Sequence, residues 1–286
     1  MTMANKASRW KRNKNPGRLI LQQRDREIIK SIYSFRILTR QQLQNLFRIN
    51  STRRANQRLR KLYDHKYLSR YYLPTIRGSA KAIYYLGPRG AAIIADELGI
   101  DLNLVNRKLK STSKLQELFL NHVLGLNDIR IAFYLGLDIY PALSLERWIN
   151  DNDCHQQYRM TVGGKNVIKQ FRPDGYFRIL YKGKLYSFFI EFDRSTMPVG
   201  RFAGKVHSYL DFSALGYYRK RFGVKYFRIL VITKTQKRLN NLKKIVETKT
   251  NKLFWFTTID QVVPEDAFGA IWQRAGRQNY YKLINM

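Results

Sequence analysis

The sequence predicts a mixed α/β protein of two domains, and three observations carry that reading. Apolar residues recur at helical spacing through the front third of the chain, strand-like alternation interleaved with helices fills the rest, and basic residues run throughout. The 286 residues hold 53 Lys and Arg against 20 Asp and Glu, a net charge of +33, with 14% aromatic residues. Cations spread this evenly suit a polyanion gripped over a long footprint, and nucleic acid fits best. A ribosome-associated protein, a general RNA binder or a merely charged surface remain as plainer alternatives. No apolar run reaches the roughly 18 residues of a membrane span, and Lys6, Arg9, Lys11, Arg12 and Lys14 stand where a signal peptide would be apolar. A soluble, cytoplasmic protein with no membrane partner is therefore expected. The single cysteine, Cys154, excludes an internal disulfide, and with only 4 His a zinc site has little support.

Residues 1–18 are polar and basic and end in Pro16-Gly17, which suggests a flexible arm that grips phosphates, or simply a solvated tail. A first domain is expected over 19–98. Ile28, Ile29, Ile32 and Phe35 mark one helix face. Thr39 with Gln42 three residues on forms a capping box ahead of Leu43, Leu46 and Phe47, a second helix. Ser51 or Thr52 then caps a third, with Ala55, Leu59 and Leu62 inward and Arg53, Arg54, Asn56, Gln57, Arg58, Arg60 and Lys61 outward. Guanidiniums and amides on the helix after a tight turn suit phosphates and base edges. Two β-prone runs, 67–73 and 81–86, flank a basic loop containing Arg77 and Lys81, and a helix follows over 91–98. Helix, helix, basic helix and hairpin is the order of a winged helix-turn-helix; a small basic domain that binds protein is the alternative.

A polar linker is expected at 99–112, then a second domain over 113–276 and a tail at 277–286. Ser113 would cap a long helix to about residue 135 with Leu115, Leu118, Phe119, Val123, Leu126, Ile129 and Phe133 at core spacing. His122 lies on that helix, where a lone His is more often structural than catalytic. A strand over 139–148 and a polar loop at 151–155 lead to short consecutive strands at 167–171, 176–181 and 185–193, the last two joined at Lys182-Gly183-Lys184. An aromatic helix (201–222), a strand (226–233), a basic helix (236–248), a strand (253–258) and a short helix at 268–272 complete the chain.

Alternation over 186–193 puts Phe189, Glu191 and Asp193 on one strand face, with Asp174 on the preceding strand. Carboxylates side by side at the end of an apolar strand repel, so they call for a cation, a proton or an Arg. A hard divalent ion is one answer, pairing with Arg194 or Arg172 another. Pro173-Asp174-Gly175 by itself is also a common turn. Lys205 and Tyr209 follow one helical turn apart, although Lys205 is one base among many and Tyr209 could serve only to pack.

Together these residues resemble a known pattern. Pro173-Asp174 followed one strand later by Glu191-Phe192-Asp193 is similar to the Pro-Asp … Asp/Glu-x-Lys signature of restriction-endonuclease-like nucleases, whose core order is αβββαβ. Asp193 stands where that signature has lysine. Lys205-x-x-x-Tyr209 resembles the Gln-x-x-x-Tyr helix motif of RecB-like nucleases, in which Lys205 would restore the ammonium and His122 would match an upstream His. A winged helix followed by Asn121-His122, Pro173-Asp174-Gly175, Glu191-Phe192-Asp193-Arg194-Ser195-Thr196 and Lys205-x-x-x-Tyr209 is similar to the plasmid replication-relaxation family and its C-class mobilisation relaxase relatives. That resemblance implies a bacterial protein that nicks or relaxes double-stranded DNA, or a strand exposed at a nicked or melted origin. It also implies Mg²⁺ or Mn²⁺ on Asp174, Glu191 and Asp193, with Lys205, Tyr209 and His122 completing the site. A homodimer or a place beside a relaxosome is a further expectation. The competing expectation is a replication initiator or transcriptional regulator whose nuclease fold has lost turnover.

Overall fold

In the computed structural model, which describes residues 10–72, 81–113, 117–195 and 198–284, the chain forms two units, Met1–Asp128 and Ile129–Met286. The class is mixed α/β, with three sheets among the described residues.

The first unit begins with α1 (Gln23–Phe35), whose Ile28, Ile29, Ile32 and Phe35 are buried as the spacing requires. β1 (Ile37–Thr39) leads into α2 (Arg40–Leu46) through the expected capping box: Thr39 Oγ1 accepts the Gln42 N–H at 3.2 Å, and Gln42 Oε1 accepts the Thr39 N–H at 3.0 Å. Ser51 is the cap of α3 (Thr52–Asp64), which buries Ala55, Leu59, Leu62 and Tyr63. β2 (Leu68–Tyr72) and β3 (Ala82–Leu86) pair antiparallel, and β1 adds to the far side of β3 as a third strand that the sequence reading did not foresee. Residues 73–80, with Arg77 of the expected basic loop, lie outside the described residues. α4 (Pro88–Leu98) starts at Gly87, where a Cβ would stand 2.4 Å from the Lys66 carbonyl oxygen, so only glycine allows the close crossing.

Two expectations for this half are corrected. The stretch 99–112 is no extended linker: it holds α5 (Leu102–Ser113), with Val105 fully buried. Residues 10–18 are no free arm either. Trp10 sits edge-on to Tyr72 with ring centres 4.5 Å apart, and Arg12 donates to the Leu68 carbonyl and Ser69 while stacking 4.0 Å from the Tyr63 ring centre. Aromatic faces capture the basic residues here more effectively than water does.

α6 (Glu117–Ile139) contributes Leu120, Val123 and Asn127 to the first unit and Ile129 and Phe133 to the second. The second unit continues with β4 (Leu143–Asn150), α7 (Asp151–Cys154), β5 (Gln156–Val162), β6 (Lys165–Phe171), β7 (Gly175–Tyr181) and β8 (Lys184–Asp193). It then runs through α8 (Val199–Ala214), α9 (Tyr217–Phe222), β9 (Arg228–Thr233), α10 (Gln236–Glu247), β10 (Phe254–Thr258), β11 (Trp272–Arg274) and β12 (Tyr280–Tyr281). The main sheet has the order β12-β11-β10-β9-β8-β7-β4. β4, β7 and β8 form an antiparallel meander, and β8, β9 and β10 run parallel, joined by the helices α8 and α10. Lys182 and Gly183, both at positive φ, make the two-residue turn from β7 to β8.

One sheet face buries Phe189, Ile229, Val231, Phe254 and Phe256 against Phe202, Val206, Tyr209 and Phe212 of α8 and Leu239 and Leu242 of α10. On the other face Phe177 and Phe188 stack, and Phe133 of α6 packs on Phe177.

Four further expectations are corrected. The strand at 167–171 pairs with β5 in a separate hairpin, so the meander recruits β4 instead. That hairpin lies on α8, with Phe171 stacked on Phe212 at 3.9 Å between ring centres. The polar loop at 151–155 contains the helical turn α7, in which Cys154 is fully buried between exposed Asp153 and His155. In place of a helix at 268–272 there are turns followed by β11. The expected tail carries β12 and then buries Leu283 and Ile284, two apolar residues too few to show a period. No described helix is long and apolar enough to cross a membrane.

Candidate functional site

Pairing of β7 with β8 puts Gly175 opposite Ile190, so Asp174 arrives beside Glu191. Two hydrogen bonds fix it there: the Asp174 N–H donates to the Ile190 carbonyl at 3.0 Å, and Asp174 Oδ2 accepts the Phe192 N–H at 2.8 Å. Glu191 is 4% exposed and points at α8, where helical spacing presents Lys205 and Tyr209 on one face. The Tyr209 hydroxyl donates to Glu191 Oε1 at 2.7 Å, and the Lys205 ammonium bonds Glu191 Oε2 and lies 3.6 Å from Asp174 Oδ1. Asp174, Glu191, Lys205 and Tyr209 thus meet.

Burial pushes the Glu191 carboxyl up to about 7, with Lys205 opposing that rise and Asp174 adding to it. Burial disfavours the Lys205 charge, yet Glu191 and Asp174 together outweigh that cost and hold its ammonium above the ordinary lysine range. The Tyr209 phenol is driven well above its usual value by burial first and by Glu191 second, so it is a neutral hydrogen-bond donor.

Asp193 shares the face of Glu191 but is taken by a different partner. Arg238 of α10 clamps it in bidentate fashion, Nε to Oδ1 at 3.0 Å and Nη2 to Oδ2 at 2.8 Å, and the Ser195 N–H adds a third bond at 2.6 Å. The guanidinium partner expected from nearby in sequence, Arg172 or Arg194, comes instead from Arg238. His122, half-buried and 6.4 Å from the Phe119 ring centre, lies in the first unit. The sequence reading placed His155 in a solvated polar connection; it directly precedes β5. Burial lowers its imidazole pKa, Arg172 and Lys205 lower it further, and Asp151 and Asp174 pull it back up. Its signal was lost in a run of turn-forming residues.

Among the described residues no cluster of three or more His, Cys, Asp or Glu could cage a metal. Two carboxylates converging on one cation, here the Lys205 ammonium, are nevertheless the complement a magnesium-type ion uses, with water and substrate phosphate filling the other positions.

On α3 in the first unit, Arg53, Arg54, Asn56, Gln57 and Lys61 are exposed, and Lys81 is exposed ahead of β3. A groove of about 840 Å³ runs beside them, lined by Arg24, Arg48, Arg54 and Lys61 among others. Two residues expected to face outward are half-buried and hold acidic partners. Arg58 is ion-paired with Asp25, which is 1% exposed, and Arg60 donates to Asp64 at 2.7 Å.

The described residues thus place an arginine-rich helix in one unit and a carboxylate–lysine–tyrosine cluster at a sheet end in the other. Residues 29–225 match the replication-relaxation family, and the chain is a member of it, which ties it to replication or relaxation of a plasmid or mobile element. No curated protein matches the chain, and no solved structure does.

Proposed function

We propose that this protein binds duplex DNA through a winged helix in its first unit and nicks it with a restriction-endonuclease-like site in its second. The meeting of Asp174, Glu191, Lys205 and Tyr209 at one end of β8 carries the proposal. Asp174 and Glu191 would hold Mg²⁺ or Mn²⁺, which when bound lowers the pKa of a water and stabilises charge on the phosphate. Lys205 keeps its proton and offers an ammonium to the charge that develops as the phosphodiester opens, restoring from α8 what Asp193 lacks. Tyr209 fixes Oε1 of Glu191, leaving Oε2, now on Lys205, to turn toward the cation. Asp193 acts through Arg238, since service as a third ligand would require that clamp to open. Arg53, Arg54, Asn56, Gln57 and Lys61 meet phosphates and base edges from α3.

The test is conversion of supercoiled plasmid DNA to open circles in the presence of Mg²⁺. Wild type is expected to nick, and Asp174→Ala and Glu191→Ala to lose the activity by a hundredfold or more, on the order of the effect of removing one preorganised electrostatic group. Equal activity in all three removes the catalytic reading. One observation favours a second reading, a DNA-binding initiator without turnover: Lys205 already neutralises the carboxylate pair without any ion. Calorimetric titration with Mn²⁺ separates the two, because only the enzyme takes up the ion.

A further inference from the structure

A groove between the β7–β8 turn and the approach to β9 has no part in the reading so far. It encloses about 640 Å³ and is lined by Lys184, Tyr186, Phe188, Lys225, Tyr226 and Arg228, among others. Three of these are cations, and no acidic side chain joins the lining. Tyr226 is 74% exposed, with Lys225 Nζ 5.7 Å from its ring centre.

Behind the groove the sheet supplies a firm floor. Arg228 Cζ lies 5.7 Å from the Tyr186 ring centre and 4.7 Å from that of Trp255, and Arg274 Cζ lies 5.3 Å from Trp255 and 5.2 Å from Tyr281. Tyr186, Arg228, Trp255, Arg274 and Tyr281 belong to β8, β9, β10, β11 and β12, which are successive neighbours in the sheet. Rings and guanidiniums therefore alternate across the strands, each holding the next. Tyr186 is an odd number of residues from Glu191 on β8, so it projects from the opposite face, roughly 16 Å further along the strand.

We propose that this groove binds single-stranded DNA, with unpaired bases stacked on Tyr226 and Tyr186 and the backbone phosphates on Lys184 and Lys225. Cations alone would serve a duplex equally well, but a duplex keeps its base faces stacked inside and offers an exposed tyrosine nothing to cover it. The choice of DNA over RNA rests on the family and the function proposed above; the stacking does not. A strand freed when the duplex opens is then held on the sheet face away from the carboxylates.

The experiment follows fluorescence anisotropy of a labelled oligothymidylate with the full-length protein in EDTA, so that nicking plays no part and the outcome is independent of the catalytic reading. Tyr226→Ala is expected to weaken binding about tenfold, the scale of one lost base stack, and Tyr226→Trp to retain it. Lys184→Ala with Lys225→Ala is expected to flatten the dependence of log K on log salt by roughly 1.4, about 0.7 for each phosphate. Unchanged affinity in Tyr226→Ala, an equal loss toward a blunt duplex, or a loss that Trp does not restore overturns the proposal. A stronger dependence on Tyr226 with oligouridylate than with oligothymidylate overturns the assignment to DNA.

Discussion

Glu191 is the buried centre of the second unit's cluster with Asp174, Lys205 and Tyr209, and its environment makes a definite statement about pH. Its carboxyl is pushed up to about 7 from a reference of 4.5, so the folded state holds that proton more tightly than the unfolded chain. The stabilisation this group contributes is fully present below about pH 4.5 and is lost as pH rises through about 7. Lys205, raised above its ordinary range, stays charged throughout that window. Lys205→Met leaves two carboxylates without their shared cation and is expected to cost roughly 3 kcal/mol at pH 8. At pH 5 the loss should be distinctly smaller, because Glu191 then accepts a proton. Urea denaturation at both pH values, in EDTA, measures the difference; an equal loss at the two would contradict the buried-pair account. The three partners of this cluster were legible in the sequence because strand alternation and one helical turn fix where each points. Arg238 was not, since it reaches Asp193 across 45 residues and nothing local marks which of many arginines does so.

Among the elements, α3 carries both paired and exposed arginines. Arg58 neutralises Asp25, whose Oδ2 also accepts the Gln22 N–H at 2.7 Å at the start of α1, so the pair ties two helices together. Arg58→Ala strands a buried carboxylate and should lower stability by about 3 kcal/mol. Arg53→Ala and Arg54→Ala, on the exposed side, should leave the melting temperature unchanged. Each is expected instead to reduce the salt slope of duplex binding by about 0.9 for the phosphate it releases. Thermal melts and salt-dependent binding on the same three variants check this division, and a stability loss in Arg53→Ala would defeat it. The caps Thr39 and Ser51 were readable because a cap is a local rule. β1 escaped because three residues carry no period, and α5 because its polar composition imitates a connector.

For the molecule as a whole, the order of elements brought out the mixed class, and the net charge of +33 is what raised the expectation of a polyanionic partner. What composition could not show is where the strands end up. The segment 167–171 is a strand as expected, yet it pairs with β5, with Phe171 against Phe212 and Phe189 while Ile168 and Gln170 stay exposed. The end of the sheet was equally hidden. β12 closes against β11, and the Leu283 carbonyl accepts from Arg228, whose guanidinium lies against Trp255. Removing residues 278–286 would strip that border and leave β11 with raw amides and carbonyls facing water, a template on which further copies can assemble. The shortened polypeptide should elute from a sizing column as heterogeneous multimers while the intact one runs as a discrete species, so these last few side chains act as a guard against self-association.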